Sequence, residues 1–145
     1  MAIRPTVRTQ NSECRPFDVY TGNTIRKGFP VKFYSGTTKV VEASAITDDI
    51  IGIARDAGDA AGTSGLKQIG VYEHGGVVPV LVGTGGATAG VQARLAVPSG
   101  ADGVCNVTAV GGGTGKVTML GIFEDTGVAA DYVGLRLQIT PAVGS

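Results

Sequence analysis

From residue 22 onward, short apolar runs alternate with glycine-containing turns at intervals of roughly 8–12 residues. The runs are short and rich in β-branched and aromatic residues, which favours strands over helices. The candidate strands are "TIRKG", "PVKFY", "KVVEAS", "IIGIAR", "GLKQIGVYEH", "GVVPVLVG", "GVQARLAV", "GVCNVTAV", "KVTMLGIF" and "VGLRLQI". In "DAGDAAG" (56–62), two glycines favour a loop or a single turn over a helix. The pattern predicts a mainly β fold, a small antiparallel β-barrel or sandwich with little or no helix.

The first twenty residues lack this period and are rich in Arg, Thr, Pro and Asn. Such a segment cannot bury enough apolar surface to order itself on its own. We therefore predict an extended N-terminal arm over residues 1–20, ordered when it docks on a partner, and a β-rich body over residues 21–145.

The body contains an internal repeat. "IIGIARDAGDAA" (50–61) aligns without gaps with "MLGIFEDTGVAA" (119–130), 69 residues later, and six of the twelve positions are identical. We interpret each copy as a strand that ends in an Asp-x-Gly turn, where Asp caps its own backbone and Gly takes a positive φ. The repeat predicts two related β units, about 22–83 and 90–140, with a shared core. Chance similarity in a chain rich in Gly and Ala is the alternative.

The glycine run "AVGGGTGKVTM" (109–119) has some features of a phosphate-binding loop. Such a loop needs Gly, four residues, then Gly-Lys-Ser/Thr before a helix. Here Val117 stands where the magnesium-binding hydroxyl belongs, and Val110 stands where the first glycine belongs. The flanking runs "VCNVTAV" and "KVTMLGIF" favour strands, so we predict a hairpin turn instead of a nucleotide site.

The charge is unevenly placed along a chain of zero net charge. Residues 1–39 hold seven basic residues against Glu13 and Asp18, a net charge of +5, and residues 40–145 carry −5. This asymmetry is typical of an arm or face that meets a surface of opposite sign. The bases are dispersed without an aromatic platform, so no nucleic-acid partner is expected. With no apolar run of ~20 residues and no secretory signal, neither a membrane partner nor export is expected.

No catalytic or cofactor constellation is recognisable in the sequence. His74 is the only histidine, and the adjacent carboxylates Asp48-Asp49 and Glu124-Asp125 point to opposite faces of a strand. Cys14 and Cys105 have no metal-ligand spacing; two free thiols are expected, although a bridge cannot be inferred either way. We expect neither enzymatic activity nor a metal or other cofactor.

Four stretches, taken in order, resemble the head decoration, or capsid cement, proteins of tailed bacteriophages. The stretches are "GNTIRKGFPVKF", "VVEASAITDDIIGIARDAGDAAG", "GVVPVLV" and "TMLGIFEDTGVAADYVGLRL". That family shows a Gly-x-x-(Val/Ile)-x-x-Gly-x-x-Val start, an Ile-Gly-(Ile/Val)-Ala segment followed by alanines and glycine, and a Gly-Val-Val strand. The resemblance covers roughly residues 20–140 and does not extend to residues 1–19.

The resemblance implies a structural virion protein made in the host cytoplasm. It would bind the outside of the expanded capsid as a homotrimer at three-fold or quasi-three-fold positions and stabilise contacts between major capsid protein subunits. The arm would order itself across neighbouring coat subunits, by strand addition and by pairing its cations with coat carboxylates. The candidate capsid-contact residues are Ile3, Arg4, Pro5, Val7, Arg8, Arg15 and Phe17.

The alternative function is a phage tail or baseplate adaptor, or a surface glycan-binding β domain. Glycan recognition would need aromatic side chains in loops. Most aromatic residues here lie in strand-like runs, which favours core packing. A carrier domain with a modified lysine is the third hypothesis, but neither Lys27 nor Lys67 lies in the Met-Lys turn that such domains use.

Overall fold

The computed structural model describes residues 13–61, 66–96, 102–107 and 117–141. Within these ranges the chain forms only strands, turns and loops, so the prediction of a mainly β fold is confirmed. The strands are β1 (Cys14–Asp18), β2 (Thr24–Ile25), β3 (Pro30–Phe33), β4 (Val40–Glu42), β5 (Ile50–Ala54), β6 (Gly58–Asp59), β7 (Gln68–Tyr72), β8 (Val77–Leu81), β9 (Gln92–Ala96), β10 (Gly103–Asn106), β11 (Met119–Phe123) and β12 (Tyr132–Thr140). In the part of the chain described, no helix is present that could span a membrane.

Two five-stranded antiparallel sheets have the same strand order. The first is β1-β7-β5-β3-β4, and the second, read from its other edge, is β8-β12-β11-β9-β10. A short ladder of β2 and β6 accompanies the first sheet. We call residues 14–73, which include the first sheet, the first unit, and residues 77–140, which include the second sheet, the second unit.

Counterpart strands also share their register, so the likeness extends well beyond the twelve-residue repeat. The matched pairs are Val31–Gly52 with Ala93–Gly121, Cys14–Tyr72 with Val77–Arg136, and Phe17–Ile69 with Val80–Val133. Because every strand of one sheet has such a counterpart, the two units are two versions of one fold.

Each sheet curls until its two edges approach one another. An isolated parallel bridge joins Val19, just after β1, to Val40 in β4, and a second joins Val82 to Val104 in the same relation. The bridges are single contacts, so each unit comes close to a barrel without closing into one. The curl brings the start of β1 near the end of β3, and this proximity creates the surface described below.

The Asp-x-Gly turns of the repeat differ from their prediction. Asp56 Oδ2 accepts the backbone N–H of Gly70 at 2.9 Å, and Asp125 Oδ2 accepts that of Gly134 at 3.0 Å. Each carboxylate therefore links its turn to the neighbouring strand instead of capping its own backbone. The turn glycines, at positions 58 and 127, do not take a positive φ. A Cβ on either would lie 2.7 Å from a valine methyl group, so close packing explains these glycines.

The predicted unit boundaries also differ from the structure. β1, predicted to belong to the arm of residues 1–20, pairs along its whole length with β7 in the first sheet. β8, predicted to close a first unit of residues 22–83, pairs with β12 at the edge of the second sheet. Local patterns locate these strands, but only long-range pairing assigns them to a sheet.

The glycine run between β10 and β11 does not connect two paired strands. β9 lies between β10 and β11 in the second sheet, so the predicted hairpin is wrong. Residues 108–116 themselves lie outside the described ranges. In the first unit β3 separates β4 from β5 in the same way, which makes this crossover a property of the shared fold.

Two apolar cores hold the molecule together. The first unit has an inner core of Val19, Ile25, Val31, Val40, Ala54, Ile69 and Val71. The second core contains the inward-facing residues of the second unit together with five residues from the outer side of the first unit: Phe29, Ala43, Ile50, Ile53 and Tyr72. One core therefore spans both units and fixes them against each other.

Candidate docking surface

Arg15 and Phe17 of β1 meet Phe33 of β3 at the end of the first unit where β1 begins. The rings of Phe17 and Phe33 stand edge to face, with centroids 5.6 Å apart. The Arg15 guanidinium lies over the Phe17 ring, 5.2 Å from its centroid. Phe33 is 39% exposed although Val40, its partner in β4, is fully buried. We call Arg15, Phe17, Phe33 and Glu73 the aromatic end.

Within the aromatic end, Arg15 and Glu73 form a bidentate ion pair. Arg15 Nε and Nη2 donate to the two carboxylate oxygens of Glu73 at 2.6 and 2.7 Å. This hydrogen bonding with Arg15 lowers the pKa of Glu73 against the opposing effect of burial. The Arg15 side chain is 64% exposed, so the pair adds little stability and serves to orient two charges at the surface.

The second unit shows what this end of the fold looks like when it is covered. The counterparts of Arg15, Phe17, Phe33 and Glu73 are Val78, Val80, Leu95 and Leu137. All four are apolar and at most 2% exposed. The first unit thus keeps two aromatic rings and an ion pair where the second unit has a dry core. This difference makes the aromatic end a candidate contact surface.

A polar groove lies beside the aromatic end. Tyr20 and Tyr34 stack with ring centroids 3.8 Å apart, and the pKa of Tyr20 is raised mainly by its hydrogen bond with Tyr34. Tyr34 also lines a groove of about 500 Å³ whose other walls are polar or charged for the most part: Gly22, Asn23, Thr24, Lys32, Val41, Glu42 and Ser44. One exposed ring beside several hydrogen-bonding groups is an arrangement that suits a polar ligand such as a sugar.

The predicted contact residues fall into two groups. Ile3, Arg4, Pro5, Val7 and Arg8 lie outside the described residues. Arg15 and Phe17 lie together at the aromatic end, in a strand already paired with β7.

Sequence reasoning missed Phe33 and Glu73 as members of the aromatic end, and Tyr34 as a wall of the polar groove. The expectation that aromatic residues pack in the core holds for Phe29, Tyr72 and Phe123, and it is wrong for Phe33, Tyr34 and Tyr132. Within "PVKFY" the alternating pattern places Phe33 on the inner face, but it cannot tell that this end of the unit is open.

The remaining titratable groups form structural contacts. His74 Nε2 lies 3.0 Å from Glu13 Oε1, and both side chains are largely exposed. Across the described ranges no group of three or more His, Cys, Asp or Glu side chains could hold a metal ion. Cys14 and Cys105 are free thiols. Burial raises the pKa of the Cys105 thiol, so it is a poor nucleophile.

Comparisons of the chain with protein-family models, curated proteins and solved structures find no match.

Proposed function

We propose that this chain is a capsid decoration protein, which binds the outside of an expanded phage capsid and stabilises contacts between major capsid protein subunits. The observation that carries the proposal is the place where the N-terminal segment joins the body. Residues 1–12 continue directly into β1, an edge strand beside the aromatic end. Any partner bound by these residues would therefore be tethered to the body at this edge.

The packing of β1 changes which residues we propose as coat contacts. Arg15 is already paired with Glu73, and Phe17 already packs on Phe33. The residues assigned to the coat are therefore those that precede β1, with Arg4 and Arg8 supplying cations for coat carboxylates and Ile3, Pro5 and Val7 supplying extended apolar contacts.

The outer edge of β1 is poorly suited to strand addition by a partner. Val19 N–H donates to Lys67 at 2.9 Å, which makes the odd-numbered residues of β1 the ones that bond to β7. Pro16 therefore sits on the outward side without an N–H, and Pro79 occupies the counterpart position in β8. Proline at this position protects edge strands from unwanted pairing. We assign strand addition, if it occurs on the coat, to residues 1–12.

The mechanism is stabilisation by mass action. A protein that binds only the expanded shell lowers the free energy of that state by RT ln(1 + [L]/Kd) per site. With many copies on one shell, modest contacts sum to a large resistance against rupture.

The test is co-sedimentation with undecorated expanded capsids and with unexpanded shells. We expect the full chain to bind expanded shells saturably, and a chain starting at Glu13 to lose binding while it keeps its fold. Arg8→Glu should weaken binding and Lys39→Glu, an exposed charge change on the β3–β4 turn, should not. Full binding by the chain that starts at Glu13 would remove the arm from the proposal.

The polar groove supports a second candidate, a glycan-binding domain. If neither shell is bound, a panel of immobilised saccharides tested with the wild-type chain and with Tyr34→Ala decides between the candidates. Saccharide binding that Tyr34→Ala abolishes would establish the second candidate in place of the first.

A further inference from the structure

The two units contact each other through unlike surfaces. The first unit contributes the outer side of its sheet: Phe29, Ala43, Ile50, Ile53 and Tyr72. The second unit contributes the end that corresponds to the aromatic end, with Val78, Val80, Leu95 and Leu137 in the same core cluster. The outer side of one unit therefore covers the open end of the next.

Backbone hydrogen bonds fix this arrangement at two places. Thr118, just before β11, donates its N–H to the Ile46 carbonyl at 2.8 Å and its hydroxyl to the Asp48 carbonyl at 2.7 Å. Leu81 N–H donates to the Gly28 carbonyl at 2.9 Å. A Cβ on Gly28 would lie 2.8 Å from Leu81 N and 2.9 Å from the Tyr132 ring. The contact is close and specific.

The second unit carries its own copy of the outer side, and no part of the described chain covers it to the same extent. The counterparts of Phe29, Ala43, Ile50, Ile53 and Tyr72 are Val91, Val107, Met119, Ile122 and Arg136. Ile53 is fully buried, whereas Ile122, at the equivalent position, is 40% exposed. Val91, Val107 and Met119 are half-buried. We call these five residues the outer face of the second unit.

Each chain therefore contains one contact of this kind between its own units. The two surfaces that could form a further contact are the aromatic end of the first unit and the outer face of the second unit. We propose that the outer face of the second unit binds the aromatic end of the first unit in another copy of the chain, which repeats between molecules the contact made inside one molecule. The occupant of the aromatic end is a second copy, and this contact stands independently of the proposed binding to a capsid.

Charge explains why the contact between copies is the weaker of the two. The aromatic end has Arg15 and Glu73 where the internal contact has Val78 and Leu137. The outer face has Arg136, paired with Glu124 at 2.6 Å, where the first unit has Tyr72. Both surfaces thus carry one charge of each sign at their border and apolar side chains beside it. Such a contact is reversible and is weakened by salt.

A contact between two different surfaces of identical chains is heterologous. It closes into a ring when its rotation permits, or it continues as a filament. A closed ring of three copies would contain six related units around its axis. A ring of three copies would agree with the homotrimer of the proposed function.

Thiol cross-linking separates a head-to-tail contact from a symmetric one. In a Cys14→Ser, Cys105→Ala background, Phe33→Cys and Ile122→Cys are prepared as separate proteins and treated with a short bis-maleimide, alone and mixed. We expect covalent dimers only in the mixture, because the two positions meet each other and never themselves. Val128→Cys, at a position that is 69% exposed and outside both surfaces, is the control and should form no specific product with either.

Mass measurement by light scattering over a range of concentrations supplies the second readout. We expect the apparent mass of the wild-type chain to rise above its 14.6 kDa monomer value as concentration increases. Phe33→Asp or Ile122→Asp should weaken association about tenfold or more, because each places an unpaired carboxylate in an apolar contact. Cross-linking of either cysteine protein with itself, or a wild-type chain that stays monomeric throughout, would overturn the proposal. Shell binding is measured separately, so either idea can fail alone.

Discussion

Asp56 shows how one carboxylate can join two strands of a sheet. Burial alone would raise the pKa of Asp56, but the Gly70 backbone N–H and the Arg55 guanidinium outweigh it and hold the pKa below its usual value. Asp125 and Gly134 repeat the same backbone bond in the second unit. The recurrence of this bond explains why Asp is identical in both copies of the repeat, since only a short carboxylate in the turn reaches the neighbouring strand.

Because the carboxylate of Asp56 accepts the Gly70 N–H, we expect the free energy of unfolding to depend on pH. Asp56→Ala should destabilise the protein by about 1–3 kcal/mol at pH 7, the cost of leaving a backbone N–H without its charged acceptor. Because the folded pKa of Asp56 is lowered, this contribution is complete above the unfolded pKa of about 3.9 and disappears as pH falls through the folded value. Urea unfolding at pH 7 and pH 3 measures the difference.

Asp56→Asn and Asp49→Ala are the controls for this measurement. Asp56→Asn keeps a carbonyl acceptor for Gly70 and should lose less stability, without the acid-dependent part. Asp49→Ala removes an exposed carboxylate before β5 and should change little. An Asp56→Ala protein as stable as the wild type at pH 7 would show that the bond contributes nothing.

Among the elements, β1 is the clearest case of a strand that its own local sequence does not predict. "CRPFD" has a proline, two charges and no regular alternation. It becomes a strand because β7 offers a full antiparallel ladder, and because Phe17 and Val19 then pack on the inner core. Phe17 is a structural residue of the body as well as a surface residue of the aromatic end.

Two truncations test where the body begins. A chain starting at Glu13 keeps all of β1, and its unfolding midpoint should equal that of the full chain. A chain starting at Val19 lacks the ladder to β7 and the Phe17 ring, so it should be destabilised by at least ~2 kcal/mol, the scale of one buried apolar side chain. Thermal unfolding followed by circular dichroism measures both. Equal midpoints for the two truncations would place β1 outside the stable body.

At the scale of the whole molecule, duplication produces two units with unequal environments. The outer side of the first unit is buried by the second, whereas the described residues cover the outer side of the second unit only in part. Because one core cluster contains residues of both units, we expect them to unfold in a single cooperative transition.

Ile53 and Ile122 provide a matched pair for this asymmetry. They are identical residues at equivalent positions, one fully buried and one 40% exposed. Ile53→Ala should cost about 2–5 kcal/mol, and Ile122→Ala should fall within about 0.5 kcal/mol when measured on the monomer. Guanidinium unfolding at low protein concentration gives both values. Similar losses at the two positions would mean that the units do not pack as the structure has them.

The amino-acid sequence by itself determined most of the strands and the presence of a repeat. Ten of the twelve strands lie on apolar runs that local pattern identifies, because alternation and β propensity act within a few residues. The repeat was also visible locally, since its Asp and Gly residues serve the same contacts in both units.

Only the tertiary structure decided which strands are neighbours and which surfaces remain open. β10 and β11, the strands on either side of the glycine run, are separated in the sheet by β9. β1 pairs with β7, and the register of Asp18 with Gln68 joins residues fifty positions apart. Ile53 and Ile122 share a Gly-Ile pair at equivalent positions of the repeat, but Ile53 is fully buried and Ile122 is 40% exposed. Burial depends on what the rest of the chain places against a side chain, and no pattern within a single strand contains that information.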